Sequence, residues 1–362
     1  ININMTKEYT ALGLMSGTSG DGVDASIIKS DGENKCEVIV NKYFEYDKKI
    51  YEDFHKLRGL VNNLKDLHSL IEKISQFEKN ITLFHAKVVD NFIQENIDFV
   101  GFHGQTIYHN AKERISKQLG DGKLLSQLTK KNIVYNFREN DLKNGGQGAP
   151  LASIFHKLLV RQKQINLPVT ILNIGGIANI TSISSQNKMS SLDIGPGNCL
   201  IDNWIRINSK KNYDESGMIA ESGKVNSIIL NQALDNFYKN LSSNRSYDLK
   251  DFDLSFVRGL SLKDGAATLT EYTSEIISKK LSNNLTFLCG GGRKNKFLVK
   301  SIKNKVGGKI KLIDDLGIDG DFVESQAFAY LAIRSYLKLP ISFPETTGCS
   351  KQCTGGEIEG LR

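Results

Sequence analysis

Two segments of the chain share one hydrophobic pattern, in which a turn of small residues separates two apolar strands. They are LGLMSGTSGDGVDASII (12–28) and ILNIGGIANITSI (171–183). Apolar runs on both sides of a Gly-rich turn predict a β-hairpin in each segment. Glycine lets the backbone approach a ligand closely, and successive N–H groups of such a turn can bind phosphate oxygens. Two ordinary Gly-rich hairpins remain the alternative interpretation.

The pattern after each hairpin predicts two similar α/β halves. After the first, a third strand spans 36–46, apolar residues recur at helical steps over 63–96, and a buried strand covers 99–109. Three antiparallel strands, a helix and a further strand open a ribonuclease-H-like lobe. The second half predicts, in order, a strand-turn-helix (191–205), helices (225–242 and 265–282), a strand with a glycine turn (285–295), a strand (309–315) and a helix (322–334).

The length of the chain, 362 residues, favours two domains. We expect the crossover near 136–151, between an N-terminal lobe of residues 1–137 with the first hairpin and a C-terminal lobe of residues 138–344 with the second. Residues 345–362 are expected to return to the first lobe.

Composition narrows the function classes. Hydrophobic residues at 40% and charged residues at 24% are typical of a globular enzyme. The net charge of +7 is spread along the chain without aromatic interleaving, so we expect no nucleic-acid partner. No apolar run approaches the ~20 residues of a membrane span. Five mostly isolated cysteines indicate a reducing cytoplasm. The oligomeric state stays open, a homodimer included.

The glycine turns indicate an ATP site of an uncommon kind. Neither a Walker A sequence nor G-x-G-x-x-G occurs. Two hairpins and a GGG turn in this order instead fit the actin, hexokinase and Hsp70-type ATPase superfold, in which the hairpins hold phosphates from opposite sides and the GGG turn abuts adenosine. We expect Asp21 and Asp24 to orient water around Mg²⁺, with no direct metal ligand assigned. The residues expected to bind ATP are Gly17, Thr18, Ser19, Gly20, Asp21, Gly22, Val23, Asp24, Asn173, Gly175, Gly176, Gly290, Gly291 and Gly292.

Seven motifs cover nearly the whole chain, and they are MSGTSGDGVD, FHGQT, NFRENDLKNGGQGAPL, NIGGIANIT, DIGPGN, CGGGRKN and VESQAFAYLA. Together they resemble the anhydro-N-acetylmuramic acid kinase family. The resemblance implies two ribonuclease-H-like lobes around a central cleft, and an enzyme of peptidoglycan recycling. Such an enzyme takes 1,6-anhydro-N-acetylmuramic acid, ATP and water, and gives N-acetylmuramic acid 6-phosphate and ADP. The chain departs from the family at Gly20 (Leu in the family), at Ile194 (Thr) and in the tail after Pro340.

The resemblance makes Asp193 the general base. Opening an anhydro bridge requires water to attack C1, and water needs a carboxylate to accept its proton. Asp193 lies at a strand end before a Gly-Pro-Gly turn that is expected to expose it. The alternative is that Asp193 caps the helix that begins near Asn198.

Four further residues are expected to bind the sugar. His103 and Gln105 follow a strand in a Gly-flanked turn suited to sugar hydroxyls, although a core histidine is as good an interpretation for His103. Arg138 is expected to bind the lactyl carboxylate through its fork of N–H groups, with a solvated arginine as the alternative. Glu324 resembles the substrate-contacting acid of the family, or else complements the helix dipole.

Three other functions remain to be tested. One is a different phosphotransferase or hydrolase of the superfold, such as an exopolyphosphatase-type enzyme with water as acceptor. Another is a catalytically weakened nucleotide-binding protein. An ATPase with a conformational output is disfavoured, because the sequence contains no peptide-binding domain and no assembly repeat.

Overall fold

The computed structural model describes residues 7–240 and 246–360, which form mixed α/β structure. The strands are β1 (Tyr9–Ser16), β2 (Gly22–Ser30), β3 (Cys36–Glu45), β4 (Phe99–Asn110), β5 (Ile115–Leu119), β6 (Asn132–Tyr135), β7 (Val169–Ile174), β8 (Ile177–Ile183), β9 (Met189–Pro196), β10 (Leu285–Cys289), β11 (Ile310–Leu312) and β12 (Glu357–Glu359). The helices are α1 (Lys48–Leu60), α2 (Leu64–Ser69), α3 (Ile71–Asp90), α4 (Gly122–Thr129), α5 (Glu139–Lys143), α6 (Ser153–Gln162), α7 (Cys199–Asn208), α8 (Met218–Glu221), α9 (Ser227–Lys239), α10 (Leu262–Lys280), α11 (Lys296–Lys305), α12 (Val323–Tyr336) and α13 (Pro344–Thr347).

Five strands of each sheet share one topology. The first runs β3-β2-β1-β4-β6-β12, with β5 paired to β4, and the second runs β9-β8-β7-β10-β11. In each sheet the first three strands are antiparallel, and the next two run parallel to the central strand. This is the ribonuclease-H-like order that the hairpin pattern predicts, and it occurs once in each half of the chain.

The chain divides into two compact units at other points than the sequence predicts. The first unit contains the residues up to Ile165 together with those from Phe322 onward, and the second contains Asn166–Asp321. The predicted boundaries at 137/138 and 344/345 are displaced because α12 packs on the first sheet. The ring of Phe137 lies 5.2 Å from that of Phe328 on α12, and β12 in the tail pairs with β6.

Alternation along β1 explains the packing of the first unit. Leu12 and Leu14 point into a core shared with α1 and α3, whereas Gly13 faces α12. A Cβ at Gly13 would lie 1.9 Å from the Ser325 carbonyl oxygen, so glycine is needed for the helix to approach the strand. This contact fixes the first turn of α12, which carries Glu324, against the sheet.

The second unit has a sheet core and a helical core. Leu172 and Ile174 of β7 pack with Ile277 of α10 and Leu298 of α11. A separate apolar cluster joins α7, α9 and α10 around Trp204. Buried residues thereby fix the ends of β7, β9 and β10. These three strands carry or precede the predicted site residues of this unit.

Several elements differ from the sequence prediction. The helix predicted over 63–96 is interrupted at Leu70 and ends at Asp90, and the strand predicted over 309–315 is reduced to β11 before a 3-10 turn. Helix α1 was not predicted, and it contacts the first hairpin through Phe54 and Arg58.

Candidate active site

The first hairpin turns tightly between β1 and β2. The Gly20 N–H donates to the Gly17 carbonyl at 3.1 Å, and the Ser19 hydroxyl donates to Asp21 at 2.7 Å. Gly20 has φ of +66°, and a Cβ there would lie 2.3 Å from the Phe54 ring. Both the dihedral angle and the space therefore require glycine, which explains in this structure why Gly20 stands at the turn.

The carbonyl groups of this turn are held from inside the protein. Gln105 is fully buried, and its amide donates to the Gly17 carbonyl at 2.8 Å, while Arg58 donates to the Thr18 carbonyl. The Tyr46 hydroxyl donates to the amide oxygen of Gln105 at 3.4 Å. The structure thus gives Gln105 partners in the protein at both ends of its amide, and its predicted contact with sugar hydroxyls stays a prediction.

His103 and Arg138 lie together in the first unit. His103 is 5% exposed; its Nδ1 donates to the Gly104 carbonyl at 2.7 Å, so its Nε2 is left to accept from Arg138 at 2.8 Å. Burial, reinforced by the Arg138 charge, lowers the pKa of His103 well below its usual value. A neutral His103 therefore orients the guanidinium of Arg138. Its burial agrees with the core interpretation, and its contact with sugar hydroxyls stays a prediction.

The segment after Arg138 fixes its guanidinium from the other side. Arg138 also donates to the Gly148 carbonyl at 2.6 Å. The Gly148 N–H donates to Asp141, which is 1% exposed and accepts a hydrogen bond from the Thr347 hydroxyl at 2.5 Å. Residues of the tail therefore support the loop that positions Arg138.

Glu324 lies in the first turn of α12 and is half-buried. The neighbouring Ser325 hydroxyl hydrogen-bonds the buried Ser26 hydroxyl at 2.6 Å. An acid in the first turn complements the helix dipole, and the contact of Glu324 with the substrate stays a prediction.

The second hairpin is bound through its turn to the start of α7. The carbonyls of Gly175 and Gly176 accept hydrogen bonds from the N–H groups of Asn198 and Gly197 at 2.8 and 2.9 Å. A Cβ at Gly197 would lie 2.2 Å from the Gly175 oxygen, so glycine permits this contact. The N–H groups at the start of α7 thus bond to the hairpin turn.

Asp193 is placed by a β-bulge in β9. Its register partner on β8 is Asn179, whereas Ala178 pairs with Gly195, which leaves Ile194 as the extra residue. The Ile194 side chain is 1% exposed in the apolar core. Asp193 is 8% exposed, and its carboxylate accepts a hydrogen bond from the Tyr247 N–H at 3.1 Å. The bulge and this N–H together fix the carboxylate.

The GGG turn after β10 packs against the end of β7. Added Cβ atoms would lie 2.3 Å from the Asn173 side chain at Gly290 and 2.2 Å from the Ile174 side chain at Gly292, whereas Gly291 has open space around it. Protein packing thus accounts for two of the three glycines, and the contact of the turn with adenosine stays a prediction. Gly290 and Gly292 are required by protein packing, and Gly291 is the member with space on its Cα for a ligand.

A buried arginine holds the GGG turn in place. Arg293 donates to both oxygens of Asp314 at 2.7 and 2.8 Å, to Asp321 at 2.6 Å and to the Gly290 carbonyl at 3.2 Å. Although burial opposes its charge, the bonds to Asp314 and Asp321 raise the pKa of Arg293 further above its usual value. The same contact lowers the pKa of Asp314. The turn is thus fastened by charge-assisted hydrogen bonds.

Comparison with known proteins gives the family. The family model described as anhydro-N-acetylmuramic acid kinase matches residues 9–359. The chain belongs to this family. A protein named anhydro-N-acetylmuramic acid kinase from Pelagibacter ubique (strain HTCC1062) is 55% identical over 98% of this chain and 99% of its own length. The protein of the same name from Zymomonas mobilis is 37% identical over 96% of this chain and 99% of its own length.

Membership of the anhydro-N-acetylmuramic acid kinase family confirms the resemblance seen in the motifs. The match also covers the tail up to residue 359, the segment in which the chain departs from the motifs of the family. One similar solved structure is that of the activator of the 2-hydroxyisocaproyl-CoA dehydratase from Clostridium difficile with bound ADPNP. The match covers 91% of this chain and 96% of that chain, with 12% sequence identity and a TM-score of 0.41. The strand order of the two sheets gives the ribonuclease-H-like fold of each unit.

The structure brings together some of the predicted residues within each unit. The turn of the first hairpin contacts Gln105, and His103 contacts Arg138. In the second unit, the GGG turn contacts Asn173 at the end of β7. Sequence reasoning missed the supporting residues Arg58 and Arg293. Arg293 directly follows the GGG motif and could have been noticed there, whereas nothing in the sequence pattern marks Arg58.

The described part of the chain contains neither a metal-binding cluster of three residues nor a membrane-spanning helix. No group of three or more His, Cys, Asp or Glu side chains within it is arranged to hold a metal ion. Asp21 presents an exposed carboxylate at the first hairpin, and one or two carboxylates with substrate phosphates form a usual Mg²⁺ site. None of the described helices is long and apolar enough to span a membrane.

Proposed function

We propose that this protein is an ATP-dependent kinase that opens 1,6-anhydro-N-acetylmuramic acid with water and phosphorylates O6, in cell-wall recycling. The observation that carries the proposal is the family match over residues 9–359. The products are N-acetylmuramic acid 6-phosphate and ADP, and the reaction takes place in the cytoplasm.

Asp193 is the general base of the proposed reaction. The water oxygen forms a bond to C1 while the C1–O6 bond breaks, and Asp193 accepts the proton that the water loses. The freed O6 forms a bond to the γ-phosphorus, and ADP leaves with the electrons of the broken P–O bond. A carboxylate fixed by the bulge at Ile194 and by the Tyr247 N–H is suited to this transfer, because general-base catalysis depends on the position of the acceptor.

Arg138 recognises the lactyl carboxylate of the sugar. Its guanidinium is oriented by His103 and the Gly148 carbonyl, and a preoriented fork binds a carboxylate more strongly than a flexible ammonium does. Glu324 is proposed to contact the sugar from the first turn of α12. These assignments explain how a muramic acid is distinguished from a glucosamine.

The two hairpins and the GGG turn bind ATP, with Mg²⁺ as cofactor. Turns with N–H groups directed at an anion suit phosphate oxygens. Asp21 and Asp24 are carboxylates of the type that hold hydrated Mg²⁺, which neutralises charge on the nucleotide phosphates when it is bound.

The proposal is tested by measuring ADP release from ATP with three sugars. They are 1,6-anhydro-N-acetylmuramic acid, 1,6-anhydro-N-acetylglucosamine, which lacks the lactyl group, and N-acetylmuramic acid, which lacks the bridge. Rapid ADP release with the first sugar alone supports the proposal. Phosphate release that needs no sugar indicates a hydrolase instead, and the absence of turnover with every sugar indicates a nucleotide-binding protein.

Arg138→Lys separates the role of the fork from that of the charge. The variant keeps the charge but not the planar pair of donors, so KM for the anhydro sugar is expected to rise while KM for ATP stays constant. Lys143→Met, an exposed change on α5, is the matched control. Equal KM values for the sugar in Arg138→Lys and the control would remove Arg138 from the proposed site.

A further inference from the structure

The turn of the first hairpin has both of its leading carbonyls directed into the protein. The Gly17 carbonyl accepts from Gln105 at 2.8 Å and from the Gly20 N–H at 3.1 Å, and the Thr18 carbonyl accepts from Arg58. In a trans peptide, the C=O of one residue and the N–H of the next point in opposite directions. The N–H groups of Thr18 and Ser19 are therefore directed away from Gln105 and Arg58.

These two N–H groups are available for a ligand in the described structure. Neither is hydrogen-bonded to any of the residues described. Successive backbone N–H groups in a turn can form an anion-binding concavity. The orientation of the turn thus suits a phosphate, and it depends on the two side chains that hold the carbonyls.

Both side chains are themselves held in one orientation. The Arg58 guanidinium lies over the Phe54 ring at 4.9 Å and contacts His55 Nδ1 at 3.1 Å. For Gln105, the Tyr46 hydroxyl donates to the amide oxygen, which leaves the amide nitrogen facing Gly17. A 2.9 Å hydrogen bond between Tyr46 and Ser16 continues this buried network to β1.

We infer that Arg58 and Gln105 are positioning residues for ATP, because they turn the N–H groups of Thr18 and Ser19 outward to receive phosphate oxygens. The inference rests on the proposed function, and it assigns Gln105 to the nucleotide rather than to the sugar. Arg58 adds a positive charge beside a turn that itself contains no Lys or Arg. Neither residue needs to touch the substrate to act in this way.

The test compares KM for ATP with KM for the anhydro sugar in Arg58→Met, Arg58→Lys and Lys56→Met. Lys56 is an exposed cation of the same helix and is the matched control. Arg58→Met is expected to raise KM for ATP about tenfold, the scale of a lost hydrogen bond to a charged donor, with KM for the sugar unchanged. Arg58→Lys should restore most of the affinity, and the control should match the parent.

Gln105→Glu tests the other carbonyl. A carboxylate cannot donate to the Gly17 oxygen and repels it, so KM for ATP should rise here too. A rise in KM for the sugar alone would show that Gln105 contacts the sugar and would overturn the assignment. Thermal unfolding identifies any variant that fails to fold. If the variant of the fully buried Gln105 does not fold, the variants of the half-buried Arg58 provide the test.

The outcomes separate this inference from the proposed function. If the parent protein releases no ADP with the anhydro sugar, the proposed function fails. If the parent is active but Arg58→Met keeps KM for ATP equal to that of Lys56→Met, the positioning role is wrong.

Discussion

Replacement of Gly20 provides a quantitative test of the first hairpin. Its φ of +66° lies in the left-handed region, where an L-residue costs about 1–2 kcal/mol. An alanine Cβ would also lie 2.3 and 2.4 Å from two carbons of Phe54, a core ring with no exposed surface. The turn must therefore shift in Gly20→Ala, and ATP must restore the original turn in order to bind. The cost of about 1–2 kcal/mol corresponds to roughly 5–30-fold weaker binding.

The assay is a calorimetric titration of a non-hydrolysable ATP analogue against Gly20→Ala, Gly20→Leu and Gly59→Ala. Gly59 on α1 is exposed, and an added Cβ would have nothing within 4 Å, so its variant should bind like the parent. The Gly20→Leu variant should bind no better than Gly20→Ala, because the same φ and the same Cβ contact apply. Gly20→Leu that binds as tightly as Gly59→Ala would refute the reasoning from backbone strain.

Three further predictions concern the base, the GGG turn and pH. Asp193→Asn should keep ATP affinity but lose ~10²–10⁴-fold in turnover, since the amide cannot accept a proton; activity within about threefold of the parent would exclude this role. Arg293→Met should lower the free energy of unfolding in urea. The loss should be smaller than the ~3–5 kcal/mol of a fully buried ion pair, because Asp314 is partly exposed. An unchanged urea midpoint would show that the ion pairs of Arg293 with Asp314 and Asp321 add no stability. Burial lowers the pKa of His85 to about 4, so the unfolded chain binds a proton between about pH 6.5 and 4 that the folded protein does not. The free energy of unfolding should therefore decrease as pH falls through this window. The decrease should be less steep in His85→Gln, and equal slopes in the parent and the variant would contradict the assignment of this lowered pKa to His85.

The order of the elements could be predicted because each half repeats the same hydrophobic pattern. The hairpins of β1–β2 and β7–β8 combine apolar strands with turns that only small residues fit, and both features are local. The boundaries between the two units differ from the predicted ones, because they depend on packing between residues that are far apart along the chain. Phe137 and α12 are far apart along the chain, and no local pattern shows that they pack together.

The candidate site was predictable where the motif itself carries the chemistry. The motifs mark Asp193 and the glycine turns, whose roles toward the substrate and ATP stay predictions, but they do not show that two of the glycines are also needed for packing. A glycine needed for protein packing, as at Gly290, cannot be distinguished by sequence from one needed by a ligand. Supporting residues such as Arg58 were missed because their role depends on a single carbonyl brought to them by the fold.

The central claim is that water opens the anhydro bridge while O6 receives the phosphoryl group. Reaction in ¹⁸O-labelled water tests it most directly, with the sugar phosphate and any free phosphate analysed by mass spectrometry at early times, before the anomeric oxygen exchanges. The account predicts one ¹⁸O at C1 of the sugar and none in the phosphoryl group. Label in phosphate, with the anhydro sugar intact, would contradict the account and show that water attacks ATP.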